Sequence, residues 1–167
     1  MAITYEPVAT TTLSSAASTI TFSSIPATWT DLRLVLVARA VSTTISVDVR
    51  FNSDTGSNYS KTILYGDGTS AQSARYTSQT QIGTNFGSAF DATNPGLLTM
   101  DLFSYAGSTN KTVLFTVDND LNGSGETQRT VALWRNTSAI NTIALISSAN
   151  QFKIGTTATL YGILKAA

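Results

Sequence analysis

At 167 residues, with ten Lys or Arg against ten Asp or Glu, the chain is neutral overall and only 12% charged. It has neither cysteine nor histidine. This excludes disulfide frameworks, thiolate nucleophiles, Cys-type zinc sites and a Ser-His-Asp triad assembled within the chain.

The length suits one domain with a substantial core. No Lys/Arg cluster forms, so no nucleic-acid partner is expected. With so little charge, the wet surface falls to hydroxyls: the chain holds 28 Thr and 20 Ser. The longest apolar stretch, "LVLVARAV", is far too short to cross a bilayer, and no membrane association is expected. Residues 1–18 lack a basic start and an apolar core, so they do not read as a secretory signal, and a soluble protein made in the cytoplasm is expected. These eighteen residues are Ser/Thr-rich and read as an extended arm or a first edge strand, with residues 19–167 as a single β-sandwich domain.

Period-2 alternation runs along nearly the whole chain, and strands are predicted at about 19–24, 31–41, 44–52, 61–66, 72–82, 97–104, 111–118, 129–136, 140–147 and 157–164. Between the first two, Pro26 fixes φ and removes a donor, so one strand should end near Ile25 and the next begin by Asp31. In "TISVDVRF", Ile45, Val47, Val49 and Phe51 face one way, with Thr44, Ser46, Asp48 and Arg50 opposite. In "KTVLFTVD", Val113, Phe115 and Val117 alternate with Thr112, Leu114, Thr116 and Asp118. Turn clusters separate the runs, each with Gly, Asn or Asp. Residues 67–96 carry the weakest pattern and are where a contact surface peculiar to this chain would be sought. Many short strands without helices between them predict an all-β fold, an antiparallel, jelly-roll-like β-sandwich.

Four groups of residues invite a chemical reading. Asp54 lies in Asp-Thr-Gly-Ser, the letters around the catalytic aspartate of pepsin-like proteases. Such enzymes need two carboxylates sharing a proton, and this chain has one such triplet. A homodimer supplies the second in retroviral proteases, but there the aspartate directly follows an apolar strand. Here Asn52 and Ser53 intervene, so Asp54 reads as a turn residue.

"DNDLNGSGE" offers Asp118, Asp120, Asn122, Gly123 and Glu126, beginning like a calcium loop. Arg129 stands where an EF-hand needs its twelfth-position Glu, and a hairpin loop explains the same residues. "YGDGTS" is Gly-rich but lacks the Lys of a phosphate-binding loop, and reads as a tight turn. Trp29, Trp134, Tyr65, Tyr76 and Tyr105 are candidates for stacking on a host glycan, or for the core. No catalytic, cofactor-binding or metal residue is assigned from the sequence.

Several stretches together resemble a family of tailed-bacteriophage virion structural proteins: "TLSSAASTITFSSIPATWTDLRLVL", "VRFNSDTGSNYS", "RTVALWRNTSAINTIAL" and "FKIGTTATLYGIL". In that family an Ile-Pro followed by an aromatic and an Asp-Leu opens a strand. A "FN-x-D-T-G-x-N-Y" turn follows the next strand, and a Leu-Tyr-Gly-Ile strand closes the chain. The resemblance leaves residues 67–128 as a variable middle.

It implies a small jelly-roll-like virion protein without catalytic residues, either a capsid decoration (cement) protein or a component of tail fibres and appendages. The leading expectation is a cement protein on the outside of a capsid, bound to the major capsid protein or other virion subunits as a homotrimer. The alternative is a tail-fibre module binding a host receptor or polysaccharide. A hydrolase using Asp54, Asp118 and Asp120 is the third reading.

Overall fold

The computed structural model describes residues 5–84 and 90–164. Twelve strands follow in chain order: β1 (Tyr5–Thr12), β2 (Thr19–Phe22), β3 (Asp31–Ala38), β4 (Val47–Phe51), β5 (Tyr59–Gly66), β6 (Ala71–Gln79), β7 (Ile82–Gly83), β8 (Gly96–Leu102), β9 (Lys111–Asp120), β10 (Gly125–Trp134), β11 (Ile143–Ser147) and β12 (Thr157–Ile163). They form an eight-stranded sheet in the order β1-β12-β3-β8-β9-β10-β5-β6 and a four-stranded sheet in the order β2-β11-β4-β7. Every pairing is antiparallel. The fold is the all-β sandwich that the alternation predicts.

The pairings nest. β1 with β12 encloses β2 with β11; β3 with β8 encloses β4 with β7 and then β5 with β6. From β1 to β5 the chain alternates between the large and the small sheet. A chain doubled into long hairpins and rolled across two layers gives this jelly-roll-like pattern.

The two inner faces supply the core. Leu32, Leu34 and Leu36 of β3, Leu98, Met100 and Leu102 of β8, and Val113, Phe115 and Val117 of β9 are buried on the large sheet. Ile20, Phe22, Val47, Val49, Phe51, Ile143 and Leu145 meet them from the small one. Each fully buried Leu, Val or Phe contributes roughly 1.5–3 kcal/mol of transfer free energy. Because a strand presents opposite faces at successive residues, a one-residue slip would drive all of these into water, so the register is strongly specified.

Several predicted strands are trimmed or divided, 19–24 to Thr19–Phe22 and 140–147 to Ile143–Ser147 among them. The run 31–41 leaves the ladder after Ala38, and Ala40 instead makes an isolated bridge to Phe152. In 44–52 only Val47–Phe51 is strand, with Ile45 bridged to Phe90. The run 72–82 divides into β6 and β7, which lie in different sheets. Ser78 stands at the division with φ at 55°, beside a register shift opposite Tyr59 and Lys61, and the resulting bend carries the chain from one layer to the other.

Candidate interaction surface

The Asp-Thr-Gly-Ser loop is a structural joint. Asp54 Oδ1 accepts the backbone N–H of Gly56 at 2.8 Å, an Asx-type turn, while Oδ2 accepts Asn58 Nδ2 at 2.9 Å and the indole Nε1–H of Trp134 at 2.8 Å. Burial alone would raise the Asp54 pKa. The hydrogen bonds from Trp134, Asn58 and Gly56, with the charge of Arg50, outweigh it and hold the carboxyl below its ordinary value. The carboxylate is thus fully engaged in holding β10 to the β4–β5 loop.

Around it the rings of Phe51, Tyr59 and Trp134 pack with centroids 5.6–6.2 Å apart. Phe51 N donates to the Tyr59 hydroxyl at 3.1 Å, and burial pushes the Tyr59 phenol up to about 12. Asn52, at φ 49°, completes the joint: its Oδ1 accepts the backbone N–H of Asn141 and Thr142, and its Nδ2 donates to Ala139 O.

The two acidic loops face one another across an open cleft of about 750 Å³, lined by Asp67, Pro95, Asp118, Asp120 and Glu126 among others. Asp67 and Asp120 serve local turns, and Asp118 a cross-strand contact of the β9–β10 ladder. Asp67 accepts from the Thr69 hydroxyl and the backbone N–H of Ser70 and Thr69, which pull its pKa down to about 2. Asp118 accepts from the Thr127 hydroxyl at 2.5 Å and Asp120 from Asn122 N at 2.8 Å. Asn122 and Gly123 both have positive φ at the tip of the β9–β10 hairpin, as a two-residue Asn-Gly turn requires. Among the described residues, no three His, Cys, Asp or Glu side chains are gathered to hold a metal ion.

Of the five candidate stacking aromatics, Trp134 and Tyr105 are fully buried and closed to a sugar ring. The Tyr105 hydroxyl donates to Pro26 O at 2.5 Å and accepts from Trp29 N at 3.3 Å, tying the β8–β9 loop to the β2–β3 loop. Trp29 is half-buried, its ring lying flat against Gly162 of β12. Tyr76 lies beneath the Lys61 ammonium, 5.0 Å from the ring centroid, and the Tyr65 hydroxyl donates to Gln72 Oε1. Only Tyr65 and Tyr76 sit near the 67–96 segment, both half-buried.

Two lysines that the sequence reading passed over lie inside. Lys111 is fully buried, and its ammonium donates to Gly107 O at 2.6 Å, to Thr109 O and to Thr137 O at 3.4 Å. Lys61 reaches across the sandwich edge to Gly83 O of β7 at 2.6 Å. Burial lowers its pKa, which Asp48 partly restores; burial likewise raises that of Asp48 against Lys61 and Arg50.

The open surface lies elsewhere. The outer face of the large sheet carries exposed Val37, Leu64, Leu97 and Val131, with Leu64 59% accessible. Hydroxyls are interleaved with them: Thr10 bonds Thr159, Thr12 bonds Thr157, and Thr99 bonds Thr116 at 2.9 Å. Charge on this face is sparse, and Arg33 meets Asp101 at 3.7 Å across β3 and β8. A shallow apolar groove of about 290 Å³ runs between Leu64, Leu114 and Val131. Such a face, apolar and hydroxyl-bearing, suits contact with protein better than recognition of a charged ligand.

Compared with family models, with curated proteins and with solved structures, the chain matched nothing.

Proposed function

We propose that the chain is a structural protein of a tailed-bacteriophage virion, a decoration protein that binds the outer shell of the capsid and stabilises it. One observation carries the reading: the four stretches that bear the family resemblance meet one another in pairs. The turn Val49–Ser60 is joined to the stretch from Arg129 by the Asp54–Trp134 and Asn52–Asn141 hydrogen bonds. The stretch containing Trp29 is joined to the closing strand by the Trp29 ring on Gly162, by Thr30 N donating to Ile163 O, and by β3 pairing with β12. The quoted motifs are therefore the joints of one framework, as expected of a shared scaffold whose middle segment varies.

The surface supports the same reading. Asp54, Asp67 and Asp120 are committed to turns, Asp118 to a cross-strand hydroxyl and Asp101 to Arg33, while the outer face of the large sheet offers hydroxyls and scattered apolar side chains. A polypeptide shell is the kind of partner such a face accommodates.

The test is copy number. Quantitative mass spectrometry of purified particles is expected to find hundreds of copies, comparable to the shell protein. A few copies per particle would overturn the decoration reading and move the chain to a tail fibre or appendage.

A further inference from the structure

Among the described residues the sandwich has four sheet edges, and three are short or obstructed. β2 has four residues and β7 two. β1 is longer, but Pro7 has no N–H to give and the register breaks between Pro7 and Ala9. Proline and bulges are the devices that keep an edge from recruiting another strand. β6 has none of these over Ala71–Tyr76, where its ladder with β5 runs without a break. Its register shift falls only beyond Tyr76.

Like β1, the other edge of the large sheet, β6 has no buried residue. Among the described residues it pairs with β5 alone. Alternate residues of such a strand direct N–H and C=O away from the sheet, ready for a further strand.

We propose that β6 is a self-association edge, pairing antiparallel with β6 of a second copy about a two-fold axis to make one continuous sixteen-stranded sheet. A ring built head-to-tail through sheet edges would need β1 as its other half, and Pro7 obstructs that edge. An isologous contact needs only β6 itself. Its composition is self-compatible, because Arg75 is the one charge in the strand. With the axis at Ala74, Arg75 faces Ser73 of the second copy and Gln72 faces Tyr76, so no like charges meet. An axis at Arg75 would set two guanidinium groups opposite each other, which cross-strand pairing disfavours. The expected assembly is therefore a dimer rather than the trimer anticipated from the sequence. The inference does not depend on the virion reading, since it concerns the isolated protein.

The test uses the purified chain and sedimentation velocity over a concentration series, with Ser73→Arg and Ser73→Glu. Ser73 lies on the outer face opposite Leu64 and is exposed, so neither change disturbs the core. The wild type is expected to dimerise. Ser73→Arg places two Arg–Arg contacts in the interface and should weaken dimerisation by roughly ten-fold or more, while Ser73→Glu gains two Arg partners and should tighten it several-fold. A monomer at every concentration, a trimer, or a dimer indifferent to both substitutions would each overturn the proposal. Far-UV circular dichroism confirms that the variants keep the strand signature.

Discussion

The indole N–H of Trp134, at the end of β10, is capped by the carboxylate of Asp54, in the loop after β4, at 2.8 Å. Trp134 is fully buried, so its N–H has no water to turn to. Asp54→Ala is expected to destabilise the protein by about 2–3 kcal/mol, the range for a buried donor deprived of a charged acceptor, read from urea unfolding at pH 7. Asp54→Asn keeps an acceptor and should lose less. Equal losses for Ala and Asn would show that acceptor geometry is irrelevant to the joint.

The same carboxylate sets an acid limit. Its folded pKa lies below the ordinary value, so its stabilisation is present above the unfolded value of about 4 and is lost as pH falls through the folded one. Unfolding midpoints measured between about pH 6 and pH 2 should therefore decline less steeply for Asp54→Asn than for the wild type. A parallel decline in both would place the acid sensitivity on other carboxylates, Asp67 among them.

Gly162 makes room for a ring rather than for a turn. A Cβ built there would lie 2.3 Å from Cγ and Cδ2 of Trp29. Gly162→Ala should cost roughly 1–3 kcal/mol through overpacking. In a Trp29→Ala background the obstructing atoms are gone, and the same change should cost far less. Equal costs in both backgrounds, by thermal or urea unfolding, would mean that the constraint lies in the β12 backbone.

The strands were legible because their cores alternate. Ile45, Val47, Val49 and Phe51 are all buried, as are Val113, Phe115 and Val117, and a strand turns successive side chains to opposite faces. The turn at Asp54 was legible from Asp, Gly and Asn within a few residues. Its partner was not, since Trp134 lies far along the chain and nothing local links the two. β7 went unseen because two residues carry no period. The buried lysines had a signal that passed unread: Lys111 is in phase with Val113 and Phe115, and Lys61 with Tyr59 and Ile63. A lysine on the inner face of a strand needs carbonyls or aromatics to receive it, and both find them.

That cage of carbonyls around Lys111 gives the next expectation. Lys111→Met keeps much of the side-chain length but leaves Gly107 O, Thr109 O and Thr137 O without their donor. The loss should be about 3 kcal/mol, combining charge-assisted hydrogen bonds with carbonyls stripped of a partner. Because the ammonium is fully buried, the loss should be nearly the same in about 0.1 M and 1 M salt. A loss that vanishes in high salt would identify a surface ion-pair effect instead.

The first strand separates an arm from a part of the fold. Tyr5–Thr12 is registered against Thr157–Ile163, Val8 packs on the core, and the Tyr5 and Tyr161 rings stand 5.4 Å apart. Removing residues 1–12 deletes these contacts and turns β12 into an edge, exposing its unpaired backbone groups to solvent. The deletion should lower stability by about 2–4 kcal/mol, from lost apolar burial and ladder hydrogen bonds together. Amides of β12 should lose hydrogen-exchange protection first, while those of β9 and β10, far across the sheet, retain theirs. An unchanged urea midpoint would instead make β1 a detachable strap, and its deletion would then be felt only in attachment to a partner.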